Sequence, residues 1–142
     1  MKTIILDTNA YTRLLAGDEN VLGVVASADT VYMSIFVLGE LHAGFKGGTR
    51  ENENREVLKI FLTKPTVKIL NASSETAEIF GSVKNQLSRA GTPLPINDVW
   101  ISSHGIETGS IIVTYDAHFD RVPGLRLWNR GMFVKKGEGS PS

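Results

Sequence analysis

Four acidic residues stand among apolar neighbours. Asp7 follows Ile4-Ile5-Leu6, Glu40 lies between Leu38 and Leu41, Asp98 between Ile96 and Val99, and Asp116 shortly after Ile111-Ile112-Val113-Thr114. Carboxylates in such company are rarely buried unless paired or bound to metal. No Lys or Arg lies immediately beside any of the four. If they converge, they repel: two like charges about 4 Å apart cost about 4 kcal/mol at an effective dielectric near 20. A divalent cation offsets that cost, and a donor set of hard oxygens selects Mg²⁺ or Mn²⁺, as one or two ions, over softer metals. A carboxylate-held Mg²⁺ keeps several waters and engages phosphate oxygens. It lowers the pKa of an attacking water and offsets charge on a leaving oxygen. The chemistry this pattern predicts is phosphodiester hydrolysis.

The elements that must position these acids read as short buried strands alternating with helices. Thr3-Ile4-Ile5-Leu6 is an apolar run fit for a buried strand. Asp7-Thr8-Asn9 offers helix N-caps before a short helix at Tyr11–Ala16, which Gly17-Asp18 breaks. A second helix is expected at Val21–Ala28 and a second strand at Val31–Met33. Ser34 caps a helix through Glu40 to about Phe45, ended by Gly47-Gly48. Glu51–Leu62 is amphipathic, with Val57, Leu58, Phe61 and Leu62 assigned to one face. A strand follows at Val67–Leu70, then a helix from Ser73-Ser74-Glu75 to about Ala90. Asn97 is the expected cap of a helix over Asp98–Glu107, ended by Gly109. Ile111–Val113 is the fourth strand, and Pro123-Gly124 turns into a last strand at Leu125–Leu127. This order predicts an α/β sandwich with a mostly parallel sheet. Ligands of such sheets bind beyond the carboxyl ends of the strands, where Asp7 and Asp116 should project.

Taken in order, Leu6-Asp7-Thr8-Asn9, Leu38-Gly39-Glu40-Leu41, Ile96-Asn97-Asp98 and Val113-Thr114-Tyr115-Asp116-Ala117-His118-Phe119 resemble the PIN-domain family. Within it, the segment DAHFDRVPGL from Asp116 to Leu125 is similar to the VapC toxins. The resemblance runs to about Gly131. It implies a PIN-like three-layer α/β/α sandwich over residues 1–131, with 132–142 a loose polar tail ending in KKGEGSPS. It also implies a metal-dependent endoribonuclease in which Asp7, Glu40, Asp98 and Asp116 match the family's four acidic positions. Asn9 and Thr114 match polar positions beside the metal site, suited to bonding a ligand carboxylate or a bound water. Asp120 is a further acid near Asp116, either an additional ligand or a helix-end charge. The implied partners are an RNA substrate, a VapB-like protein antitoxin and a second copy of the chain. The apolar residues Tyr11, Leu14, Leu15, Val21 and Leu22 are available for a dimer face, an antitoxin groove or the core.

Other residues also carry side chains fit for chemistry. His118, two residues past Asp116, is a candidate to reach a phosphate, whereas His42 and His104 have no metal-site spacing. Arg13, Lys46, Arg50, Arg121 and Arg126 are candidates to hold RNA phosphates. Trp100 and Trp128 are candidates to stack on bases, with core packing preferred for Trp100. The absence of cysteine excludes disulfides, thiol nucleophiles and cysteine zinc sites. Fifteen basic residues balance fifteen acidic ones, so net charge neither favours nor excludes a nucleic-acid partner. The first apolar run stops at Asp7 and no stretch approaches the roughly 20 apolar residues of a membrane span, so a cytoplasmic protein is expected. An aspartyl phosphotransferase with Asp7 as nucleophile would want an acid at Asn9. A non-enzymatic RNA-binding or scaffolding PIN module should lack one of the four acids.

Overall fold

The structure, a computed structural model, describes residues 1–128. The expected tail at 132–142 and the last three residues of the expected domain lie outside the described residues. Among the described residues there are five strands and six helices, the helices in pairs between the first four strands: β1 (Thr3–Leu6), α1 (Thr8–Leu15), α2 (Glu19–Ser27), β2 (Thr30–Ser34), α3 (Ile35–Lys46), α4 (Glu51–Leu62), β3 (Val67–Leu70), α5 (Ser74–Ala90), α6 (Ile96–Thr108), β4 (Ile111–Val113) and β5 (Arg126–Leu127). A single 3₁₀ turn, Ala117–Arg121, links the last two strands; it was not anticipated from sequence.

Every strand pairing is parallel, in the order β3-β2-β1-β4-β5. Ile4, Ile5 and Leu6 of β1 are wholly buried, as are Ile112 and Val113 of β4. Consecutive strand residues point to opposite faces, so burial of all of them means that both faces are covered. That explains why these strands read as continuous apolar runs. Each such side chain contributes about 1.5–3 kcal/mol on burial. Among the described residues no helix is long and apolar enough to cross a membrane.

The chain proceeds from β1 outward through β2 to β3, then returns to the other side of β1 as β4. The strand order therefore reverses between β1 and β4, where open parallel sheets leave a crevice for ligands. Leu6 pairs with Val113 at the carboxyl end of this register. Asp7 and Thr114 thus leave the sheet side by side, tied by a bond from the Asp7 amide to the Val113 carbonyl at 3.3 Å.

Two local expectations need correction, and a third left open is divided. Asn97 does not cap α6: Pro95 occupies the cap position with φ −54°, no side chain caps the helix, and Asn97 falls in the first turn. The fixed ring of Pro95 already sets the entry dihedral, so the helix starts two residues earlier than expected. On α4, Leu58 and Phe61 are buried but Val57 is 42% exposed, because it lies off the core-facing stripe. The first helices divide likewise. Tyr11 and Val21 are core residues, Leu14 packs partly against the core, and Leu15 and Leu22 are exposed.

Candidate active site

Asp7 is 6% exposed and performs two tasks. Its Oδ1 accepts the Ala10 amide at 2.8 Å, capping α1, and its Oδ2 accepts the Thr114 hydroxyl. The Thr114 oxygen also accepts the Asp116 amide at 2.9 Å. One buried hydroxyl therefore sets both sheet-end acids. Asp116 Oδ1 accepts the His118 amide at 2.9 Å, capping the 3₁₀ turn, and lies 3.1 Å from His118 Nδ1. Ser34 caps α3 as expected, and Glu40 on that helix accepts the Thr8 hydroxyl. Thr8 was not singled out from sequence; its place between Asp7 and Asn9 was the signal available. Asp98 stands in the first turn of α6.

These elements converge. Asp7, Glu40, Asp98 and Asp116 line one pocket of about 290 Å³ together with Thr8, Asn9, Pro95 and Ile101. Asn9 lines this pocket with the acids, and Thr114 sits behind Asp7 rather than in the lining. Asp120 is exposed and not part of the pocket. The lining holds no Lys or Arg.

Mutual repulsion registers in the acid strengths. Burial pushes the Asp98 carboxyl up to about 6, and the charges of Asp116, Glu40 and Asp7 add to the rise, with His118 opposing it. Asp7 is also raised. Burial outweighs its bonds from Thr114 and Ala10, and the charges of Asp116 and Glu40 push the same way.

Among the described residues no three His, Cys, Asp or Glu side chains form a group that could hold a metal ion as they stand. Asp7, Glu40 and Asp116 are each occupied by local hydrogen bonds, and like charges without a cation have no reason to close on one point. The donor set nevertheless suits a hard divalent cation: four carboxylates, no sulfur, and no cationic side chain to compete.

The remaining candidates resolve differently. His104 is wholly buried, with Nδ1 2.9 Å from the Ser34 hydroxyl and Nε2 3.2 Å from the Asn71 carbonyl oxygen, which gives it a structural role. His42 packs edge-on against Phe45. Trp100 is stacked between Phe36 and Phe80, with centroids 4.8 and 3.9 Å away, so both faces of its indole are taken and it offers none to a base. Trp128 meets Tyr115 edge-on.

The family model described as PIN domain matches residues 4–125. A ribonuclease VapC2 from Rickettsia felis is 31% identical over 130 residues, covering 88% of this chain and 96% of its own. Among solved structures, VapBC2 from Rickettsia felis bound to a DNA fragment from their promoter is similar at a TM-score of 0.79, with 27% identity over 89% of this chain and 97% of that one. DNA-bound VapBC from Salmonella typhimurium is similar at a TM-score of 0.80, with 25% identity over 90% and 98%.

Proposed function

This chain belongs to the PIN-domain family, and on that premise we propose that it is an endoribonuclease that hydrolyses RNA phosphodiester bonds and serves as the toxin of a toxin–antitoxin pair. The observation that carries the reading is the convergence of Asp7, Glu40, Asp98 and Asp116 on one pocket, with Asp98 pushed up to about 6 by burial and the other three charges. The similarity to a ribonuclease VapC2 and to VapBC structures supports it. A non-enzymatic module would be expected to lack one of these acids, and this chain lacks none.

The four carboxylates are the proposed holders of Mg²⁺ or Mn²⁺, as one or two ions. Bound there, the cation supplies a water of lowered pKa and neutralises charge developing on the phosphate. The protein's own contribution is orientation. Thr114 fixes Asp7 and the backbone of Asp116, and Thr8 fixes Glu40. Asn9 presents an amide to the same pocket, suited to a phosphate oxygen or a water. Asp120 lies off the pocket and has no part in this account.

A VapB-like antitoxin is the proposed protein partner, in the cytoplasm. A cationic side chain placed among the carboxylates would substitute for the metal's charge and block substrate together. The exposed Leu15 and Leu22 are available to the antitoxin or to a second copy of the chain. The test is incubation of the purified protein with total cellular RNA. Discrete fragments in Mg²⁺ or Mn²⁺ that EDTA abolishes are expected; intact RNA under all three conditions contradicts the reading.

A further inference from the structure

A polyanion approaching four carboxylates needs a cationic foothold outside them. Of the five basic candidates, four line neither the acidic pocket nor the groove beside it. Lys46 pairs with Glu51 at 3.3 Å and Arg50 with Glu53 at 2.7 Å. Arg121 donates to the Pro93 carbonyl and Arg126 to the Gly109 carbonyl, each at 2.9 Å. Arg13 differs. It lines an open groove of about 630 Å³ with Asn9, Thr12, Ala16, Tyr115 and Asp116. Asn9 and Asp116 also line the acidic pocket, so the two spaces share a wall.

Arg13 is held in place before any ligand arrives. Its guanidinium lies 4.5 Å from the centroid of the Tyr115 ring, and its Nη1 is 3.8 Å from Asp18 Oδ2. Asp18 is itself fixed: it caps α2 by accepting the Asn20 and Val21 amides at 3.0 and 3.1 Å, and it accepts the Tyr115 hydroxyl at 2.9 Å. Tyr115 therefore both carries the guanidinium and ties down its acidic neighbour. An ion pair at 3.8 Å with the arginine 55% exposed adds little to fold stability. What the arrangement does achieve is a planar donor fork, oriented in advance, on the wall of a groove that borders the acidic pocket.

We propose that Arg13 binds a phosphate of the RNA chain adjacent to the scissile one, with Tyr115 and Asp18 as its positioning residues. The inference rests on the nuclease reading and adds to it a substrate-binding position. The strand enters over α1, crosses Asn9 and Asp116, and presents its next phosphate to the carboxylates.

Binding of a labelled stem–loop RNA tests this by fluorescence anisotropy, with full-length wild type, Arg13→Ala, Arg13→Lys and Tyr115→Leu. Ca²⁺ replaces Mg²⁺, neutralising the carboxylates without sustaining hydrolysis. The salt dependence is measured for each, and KM and kcat are read separately in Mg²⁺. Arg13→Ala should bind about tenfold more weakly, with a salt slope shallower by about 0.7 for one lost phosphate contact. It should raise KM about tenfold with kcat within about twofold, at an unchanged melting temperature. Arg13→Lys should restore the slope but only part of the affinity, and Tyr115→Leu should lose affinity while keeping the slope. Wild-type affinity and slope in Arg13→Ala would overturn the proposal and leave the groove to a protein partner, as would wild-type protein that does not bind the probe. An Arg13-dependent slope in a protein that cleaves nothing supports the phosphate site while contradicting the nuclease reading. Cleavage by wild type matched by Arg13→Ala overturns the phosphate site alone.

Discussion

The Thr114 hydroxyl donates to Oδ2 of the buried Asp7 while its oxygen accepts the backbone amide of Asp116. A near-isosteric Thr114→Val removes both bonds and leaves a buried carboxylate short of a partner. The expected loss of stability is about 1–3 kcal/mol by urea denaturation. On the proposed role of Asp7 and Asp116 in holding a cation, cleavage should fall about 10- to 100-fold. Thr114→Ser keeps the hydroxyl and should stay near wild type. Wild-type stability and cleavage in Thr114→Val would mean that the hydroxyl does not set these acids.

Asp98→Asn should abolish cleavage yet leave the metal-free protein as stable as wild type or more so. The substitution removes one of four repelling charges at a position where no side chain caps α6. A clear fall in the metal-free melting temperature would make Asp98 a structural residue instead.

Burial of Asp98, with the neighbouring charges adding to it, gives a pH dependence of definite sign. Asp98 is raised from an ordinary 3.8 to about 6, so the folded state holds its proton more tightly than the unfolded chain. Its stabilising contribution is fully present below about 3.8 and is lost as pH rises through about 6. Asp7, raised chiefly by burial, acts in the same direction. His104 acts oppositely: burial lowers it from 6.5, so its contribution is present above 6.5 and is lost as pH falls below that value. Comparing wild type with Asp98→Asn in EDTA cancels the histidine. From about pH 4 to about pH 7 the wild type should lose melting temperature relative to the variant. A difference that does not change with pH would mean that Asp98 is not raised in the folded protein.

Gly105 in α6 carries a packing prediction. A Cβ there would stand 2.7 Å from Leu125 Cδ1 and 2.9 Å from Ile112 Cδ1. Gly105→Ala should therefore destabilise by about 1–3 kcal/mol. Gly81 in α5 meets nothing within 4 Å, so Gly81→Ala should be neutral or stabilising by up to about 1 kcal/mol. Thermal melts of the two variants separate crowding from helix propensity.

What sequence revealed follows from what periodicity and capping encode. Strands buried on both faces read directly, and β3 and β4 were placed at their observed bounds. The Ser34 cap was legible because a hydroxyl before an apolar period has one common use. Asn97 misled because the same logic ignored Pro95, which starts a helix with no side-chain bond. Of the candidate residues, the four acids and Asn9 could be named from their contexts, and the structure brings all five to one pocket. The Thr8–Glu40 bond joins residues 32 positions apart, and the Arg13–Tyr115–Asp18 arrangement joins α1 to the segment after β4. Neither leaves a local pattern, so both required the fold. Asp120 illustrates the reverse: near Asp116 in sequence, it lies on the 3₁₀ turn outside the pocket.

The central claim is that four converging carboxylates use a divalent cation to cut RNA. Its most direct test is cleavage of a total RNA pool by wild type and Asp7→Asn, in Mg²⁺, Mn²⁺ and EDTA, with the melting temperature followed in the same samples. The account predicts discrete fragments and a metal-dependent rise in melting temperature for wild type, and neither for Asp7→Asn. Cleavage that persists in EDTA or in Asp7→Asn, or no cleavage and no metal-dependent rise in wild type, would contradict it.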